Sequence, residues 1–252
     1  MVHYKFFFVF IFSVTALFAH SQKIVYSEVD LDDSRRMTFE VIGKVSGNFL
    51  VYKNIRNKSY VSVYNNDMVQ VAKEEQSYIS DRLINIDFLP FADFTYMIYQ
   101  YQKKNVVYCD AVKVDGNGKK ISEIMTLDTT HLGFASNNRI YSTIASEDKS
   151  KVMVFKINSR NKSRYIVTTL LMDNQLALKK KSRFIIPMEE YYEYLREFNL
   201  DNDGDLVFLK FKRSNNEHIN NLSLLWKGAL VDSVSAIDAQ QEKIILDEPH
   251  IK

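Results

Sequence analysis

A chain of 252 residues, 46% hydrophobic and 25% charged, suits one large globular domain or two small ones, and seven Gly with three Pro exclude a disordered composition. Thirty-three basic against 31 acidic residues leave a formal charge of +2, which excludes the broad basic face that nucleic-acid binding requires. Seventeen Phe and 15 Tyr against one Trp favour strands, because a ring packs well on a pleated, half-buried surface.

The first element is a leader. Residues 1–5 form a short basic head, and residues 6–19 form a 14-residue run that is apolar apart from Ser13 and Thr15. A membrane-spanning helix needs about 20 apolar residues, so this run has the length of a signal-peptide core instead. Ala19 and Ser21 supply the small side chains of a cleavage site, which predicts a signal peptide over 1–21, cleavage after Ser21 and a mature terminus at Gln22. An uncleaved N-terminal anchor is the alternative. A lipid-anchored bacterial product would place a Cys at that terminus, and the chain's one Cys is Cys109. The expected product is therefore secreted or periplasmic, without a stable membrane anchor and without an intramolecular disulfide. Cys109 follows the apolar Val106, Val107 and Tyr108, where a thiol packs as a small hydrophobe.

From residue 38 onward the apolar spacing alternates, as in Val61 with Val63 and Val69 with Val71, and predicts strands. After a strand over 38–45, four pairs of strands read as hairpins: 49–53 with 60–64, 96–101 with 106–112, 140–144 with 152–157, and 194–200 with 206–211. The second arms start at Tyr60, Val106, Val152 and Leu206, spaced by 46, 46 and 54 residues. A further apolar strand follows each pair, at 68–72, 121–127, 165–172 and 222–230. The best helical spacing is Met188, Tyr191, Tyr192, Leu195 and Phe198 after Pro187, whose second half reads equally as a hairpin arm. A last strand is expected over 243–251.

Three or four strands at a near-constant period match the blades of a β-propeller, an architecture that buries sheet faces against neighbours and leaves short, protected edges. The expected fold is all-β: one domain over 22–252, a propeller-like array of about four antiparallel three- to four-stranded blades near 39–75, 84–128, 134–187 and 190–238. A two-sheet β-sandwich is the alternative. Four repeats are few for a closed ring, so the ring either closes through its terminal strands or stays incomplete, as in a chain truncated at its C-terminus. The decisive contact is whether 24–27 or 38–45 pairs with 243–251.

The candidate chemistry is sparse. Asp201, Asp203 and Asp205 around Gly204 set carboxylates two residues apart, as at the start of a calcium loop, but Lys212 stands where the closing Glu belongs. The same composition suits a hairpin turn. Asp115, Gly116, Asn117, Gly118 and Lys119 lack the spacing of any phosphate loop and also read as a turn. His131, His218 and His250 are too scattered for a metal pair. Lys179, Lys180, Lys181 and Arg183 read as a solvated turn at a strand end. No G-x-S-x-G is present, and sequons stand at Asn57, Asn161 and Asn221. Two aromatic groups, Tyr191, Tyr192 and Tyr194, and Phe88, Phe91, Phe94 and Tyr96 around Pro90, offer either a recognition platform or packing between blades. No catalytic residue, metal or cofactor is assigned.

The Ser21-Gln22 leader, the four hairpins and the Tyr/Phe-rich strands resemble secreted β-propeller-like proteins of Bacteroidetes-type bacteria, in layout over about residues 39–234. No Trp-Asp ends a blade, no Gly-Gly marks a kelch repeat, and Asp203-Gly204 lacks the Thr-Trp of a sialidase Asp box. Propellers host enzymes and scaffolds alike. Three functions follow as expectations: a non-enzymatic exported module that binds a protein or glycan, a propeller-type hydrolase with axial carboxylates, or a fragment without independent function.

Overall fold

The computed structural model describes residues 24–27, 34–133, 139–189, 193–213, 219–239 and 251. The signal peptide, the cleavage site at Ser21 and Gln22, and almost all of the expected strand over 243–251 lie outside these residues. The described chain folds into four antiparallel four-stranded sheets, each a simple meander, arranged as the blades of a propeller-like array. Blade 1 holds β1 (Met37–Val45), β2 (Asn48–Ile55), β3 (Lys58–Tyr64) and β4 (Gln70–Glu75). Blade 2 holds β5 (Leu83–Pro90), β6 (Phe94–Lys103), β7 (Val106–Asp115) and β8 (Met125–His131). Blade 3 holds β9 (Tyr141–Ala145), β10 (Lys151–Asn158), β11 (Arg164–Asp173) and β12 (Leu178–Pro187). Blade 4 holds β13 (Glu193–Leu200), β14 (Leu206–Arg213), β15 (Ile219–Lys227) and β16 (Ser235–Ala239).

Successive side chains of a strand point to opposite faces, so a central strand of an inner blade must be apolar on both. Strand β6 does this: Met97 and Tyr99 pack with Leu50, Tyr52, Val61 and Val63 of blade 1, while Tyr96 and Ile98 pack with Tyr141, Val152 and Val154 of blade 3. A third cluster joins Met153, Val167 and Leu171 of blade 3 to Leu206, Phe208 and Leu225 of blade 4. Each fully buried side chain of this size contributes about 1.5–3 kcal/mol. Contacts between blades concentrate on β1 with β5 and on β9 with β13, so the first strands converge and the fourth strands splay outward. Among the described residues β1 pairs with β2 alone and residues 24–27 form no strand.

Two sequence expectations change. The four hairpins are not equivalent: 49–64 and 96–112 are second and third strands of their blades, whereas 140–157 and 194–211 are first and second strands. The second strands begin at Asn48, Phe94, Lys151 and Leu206, spaced by 46, 57 and 55 residues. In a meander every adjacent pair of strands is a hairpin, so equal spacing of apolar arms does not fix the phase of a repeat. The second half of the helical spacing at 188–198 is a strand, since Leu195 and Phe198 lie in β13. Strand β13 carries a bulge between Arg196 and Asn199, with Glu197 at φ 54°, and the extra residue brings Leu195 and Phe198, three apart, onto the same face.

One turn recurs at the ends of the blades. Asn65, Asp115, Asp173 and Asp201 each accept, at side-chain Oδ1, the backbone N–H groups two and four residues on. The fourth residue of each turn is left-handed: Met68, Gly118, Leu176 and Gly204, at φ 57°, 78°, 59° and 94°. Gly118 lies against blade 1, where an added Cβ would stand 3.2 Å from methyl carbons of both Val61 and Val63. Leu176, the matching residue of blade 3, is buried in the cluster between blades 2 and 3.

Gly118→Ala is therefore expected to lower stability by about 1–2 kcal/mol from the left-handed strain alone. Met68→Gly, at the matching position of blade 1, is expected to leave the midpoint unchanged or raise it, since relief of the same strain offsets the greater freedom of the unfolded chain. Thermal melts of the two variants check the contrast in sign.

Candidate functional site

In each meander the turn between the second and third strands falls at the same end as the chain leading into the next blade. Loops therefore gather on one face. Two cavities open among them, one in the groove between blades 1 and 2 and one between blades 2 and 3.

The first, of about 320 Å³, takes Asn57 from the β2–β3 turn, Asp81 from the connection into blade 2, Glu40 from β1, and Tyr52 and Asn54 from β2. Beside it the convergent first strands carry charge. Arg139 donates from Nη2 to Asp87 Oδ2 at 2.8 Å and from Nε to the Tyr141 carbonyl at 2.8 Å. Asn85 Nδ2 donates to Asp87 Oδ1 at 3.1 Å. Burial raises the Asp87 carboxyl above the usual carboxylate range, against the opposing pull of Arg139 and Asn85. The Glu40 carboxyl is raised as well, by burial first and then by the charge of Asp87. Two carboxyl groups and one guanidinium thus share the inner edge of blades 1 to 3.

The second cavity, of about 390 Å³, is basic. Lys156, Arg160 and Arg183 line it above Leu132, Ile140 and Ile166. Lys156 Nζ is fixed from four sides: Asp128 Oδ2 at 2.6 Å, Thr130 Oγ1 at 2.9 Å, the Thr129 carbonyl at 3.3 Å and Tyr141 Oη at 3.5 Å. Lys181 Nζ reaches the other oxygen of Asp128 at 3.0 Å, from the outermost strand of blade 3. Burial pushes the Asp128 carboxyl up, but hydrogen bonds and charge from the two lysines outweigh it and hold the group below its ordinary value.

The residues singled out from the sequence fall as follows. Asp201 Oδ1 accepts from the backbone of Asp203 and Asp205, and Asp205 accepts Trp226 Nε1 at 2.8 Å and the Ala229 N–H at 2.6 Å. These two carboxylates are occupied in shaping the β13–β14 turn and anchoring β15, and among the described residues no three His, Cys, Asp or Glu side chains come together as a metal site. The Asp115–Lys119 loop packs on blade 1, where a Cβ on Gly116 would stand 2.6 Å from Ser46 Cβ. His131 lines the basic cavity, and His218 and His250 lie outside the described residues.

Asn57, Asn161 and Asn221 are exposed. The basic run lies within β12 rather than in a turn: Lys179 pairs with Asp173, Lys180 with Asp232 and Lys181 with Asp128. Phe91, Phe94 and Tyr96 pack ring on ring at 4.9–5.8 Å against the cluster between blades 2 and 3, and Phe88 packs on Tyr52. Tyr191 and Tyr192 lie outside the described residues, and Tyr194 stacks on Phe211. Cys109 is buried between blades 2 and 3, and burial pushes its thiol far up. Among the described residues no helix is long and apolar enough to cross a membrane.

Glu40, Asp87, Asp128, Arg139 and Lys156 drew no attention in the sequence. The signal was a charge inside an apolar strand, as with Asp87 between Ile86 and Phe88 and Lys156 between Phe155 and Ile157.

No family model and no curated protein matches the chain. Among solved structures it is similar to an exo-β-1,3-galactanase of Phanerochaete chrysosporium, crystallised with β-1,3-galactotriose, at 10% identity and a TM-score of 0.39. The likeness covers 85% of this chain and 53% of that enzyme, so the chain spans about half the length of the protein it matches.

Two outcomes follow from the groove between blades 2 and 3. A carboxylate held below its unfolded pKa contributes stability that is present above the unfolded value and lost as pH falls through the folded one. Asp128→Asn is expected to cost about 2 kcal/mol at pH 7, and the gap to the parent protein should narrow on acidification below about pH 4, as read from melting curves across pH. Cys109 should resist thiol reagents in the native protein and react on addition of denaturant, which a colorimetric thiol assay measures directly.

Proposed function

We propose that the chain is an exported, non-enzymatic binding module that holds a protein or glycan on the face where the blade connections and the β2–β3-type turns meet. The supporting observation is the pair of cavities, of about 320 and 390 Å³, in adjacent grooves of that face. Both have the size of small-ligand or side-chain pockets, and both stand on rigid blades with loops at the rim. They differ in charge: Glu40 and Asp81 line one, and Lys156, Arg160 and Arg183 line the other. Export rests on the leader over 1–21 and places the module in the secreted or periplasmic space.

Glycan-array and peptide-array screens of the purified full chain test this. Saturable binding that Asn54→Ala or Arg183→Gln weakens at least fivefold, with unchanged melting, is the expected result. Binding indifferent to both substitutions would place the ligand elsewhere and overturn the reading.

One observation favours a second reading, a glycan or peptide hydrolase. Glu40 and Asp87 stand on adjacent first strands, each with its carboxyl raised above the ordinary range by burial, and a pair of carboxyl groups is what glycoside cleavage uses. Turnover of aryl glycosides or of a casein substrate, abolished by Glu40→Gln, would establish it. Absence of turnover across pH 4–8 alongside retained binding would favour the non-enzymatic module.

A further inference from the structure

We propose that the basic cavity between blades 2 and 3 seats an acidic peptide segment, with Arg183 receiving a carboxylate and the aliphatic floor receiving a neighbouring apolar side chain. This rests on the binding reading above and names the ligand class for one of its two cavities.

The argument begins with charge. Asp128 is the carboxylate that answers both Lys156 and Lys181, at 2.6 and 3.0 Å, so this part of the groove keeps a net positive charge. Arg183 stands two residues beyond Lys181 on β12, on the same face of the strand, and makes no ion pair with any described residue. Its guanidinium is exposed at the wall of the cavity. A guanidinium offers a planar fork of donors that matches a carboxylate in two-point contact. Lys156 serves differently. Its three protons are engaged by Asp128, Thr130 and the Thr129 carbonyl or Tyr141, so it contributes field rather than a donor.

The floor then selects the body of the ligand. Leu132, Ile140 and Ile166 are aliphatic, and among the described residues no Phe, Tyr or Trp ring lines the cavity. A leucine or isoleucine side chain fits an aliphatic floor, and about 390 Å³ admits such a side chain together with an adjacent carboxylate. Thr168 Oγ1, also in the lining, supplies a hydroxyl for the peptide backbone.

The test uses the full chain and a fluorescein-labelled pentapeptide of alternating leucine and glutamate, read by fluorescence anisotropy at 50 and 300 mM salt. The expected result is saturable binding that weakens at least fivefold in Arg183→Gln, is restored in part by Arg183→Lys, and falls at the higher salt. The leucine–glutamine counterpart should bind at least tenfold more weakly. Equal binding of the two peptides, or binding indifferent to Arg183→Gln with an unchanged melting curve, overturns the proposal. A glucuronate oligosaccharide that binds in an Arg183-dependent way while the peptide does not overturns the ligand class and leaves the binding reading standing. Binding of other ligands that responds only to Asn54→Ala sinks this proposal alone, and absence of any ligand from the arrays as well sinks both.

Discussion

A small antiparallel sheet has two faces and cannot bury both by itself; everything else in this chain follows from how that constraint is met. Each blade lays its faces against its neighbours, so blade 2 must be apolar on both sides, and β6 alternates Met97 and Tyr99 toward blade 1 with Tyr96 and Ile98 toward blade 3. The chain has no disulfide to lend stability, its single cysteine being one of the buried groups between blades 2 and 3. Apolar burial is supplemented by buried amides that bridge blades. Gln100 accepts from the backbone N–H groups of Ile140 and Tyr141 and donates to the Tyr141 carbonyl, leaving no unmet partner on its side chain's oxygen. Gln76 does the same between blades 1 and 2, donating to the Gly118 carbonyl.

The same stacking creates the candidate sites. Blades that touch at their first strands and splay at their fourth leave wedge-shaped grooves, and the loops at one end of those grooves form the rims of both cavities. Polar groups brought into a groove must find partners there, which accounts for the Asp128, Lys156 and Lys181 network and for the Asp87 and Arg139 pair. A cavity at an interblade groove is thus a consequence of imperfect closure between twisted sheets.

The strand content, the sheet class and the turn at Asp201 were legible in the sequence because they depend on local rules. Alternation marks a strand, and Asp with Gly marks a left-handed turn whatever surrounds it. The phase of the repeat was not legible. Strand β5, with Asp87 between Ile86 and Phe88, and strand β12, with three lysines, carry charges that local reading assigns to loops. Those charges are tolerated because each finds a partner: Asp87 meets Arg139 and Lys181 meets Asp128 across the groove, while Lys179 pairs with Asp173 on the neighbouring strand and Lys180 with Asp232.

The division between the two levels is physical. Side-chain period, turn composition and the apolar leader act over a few residues, so the order of the amino acids alone pointed to an all-β chain of repeated hairpins, expected to be exported, and left a β-sandwich as the alternative. Which strand begins a blade, and which charges meet across a groove, are contacts between residues some 25 to 50 positions apart, such as Asp128 with Lys156 and Asp87 with Arg139. Only the packing of one blade on the next could decide them, because the energy that fixes those pairs comes from burying the surface between the blades.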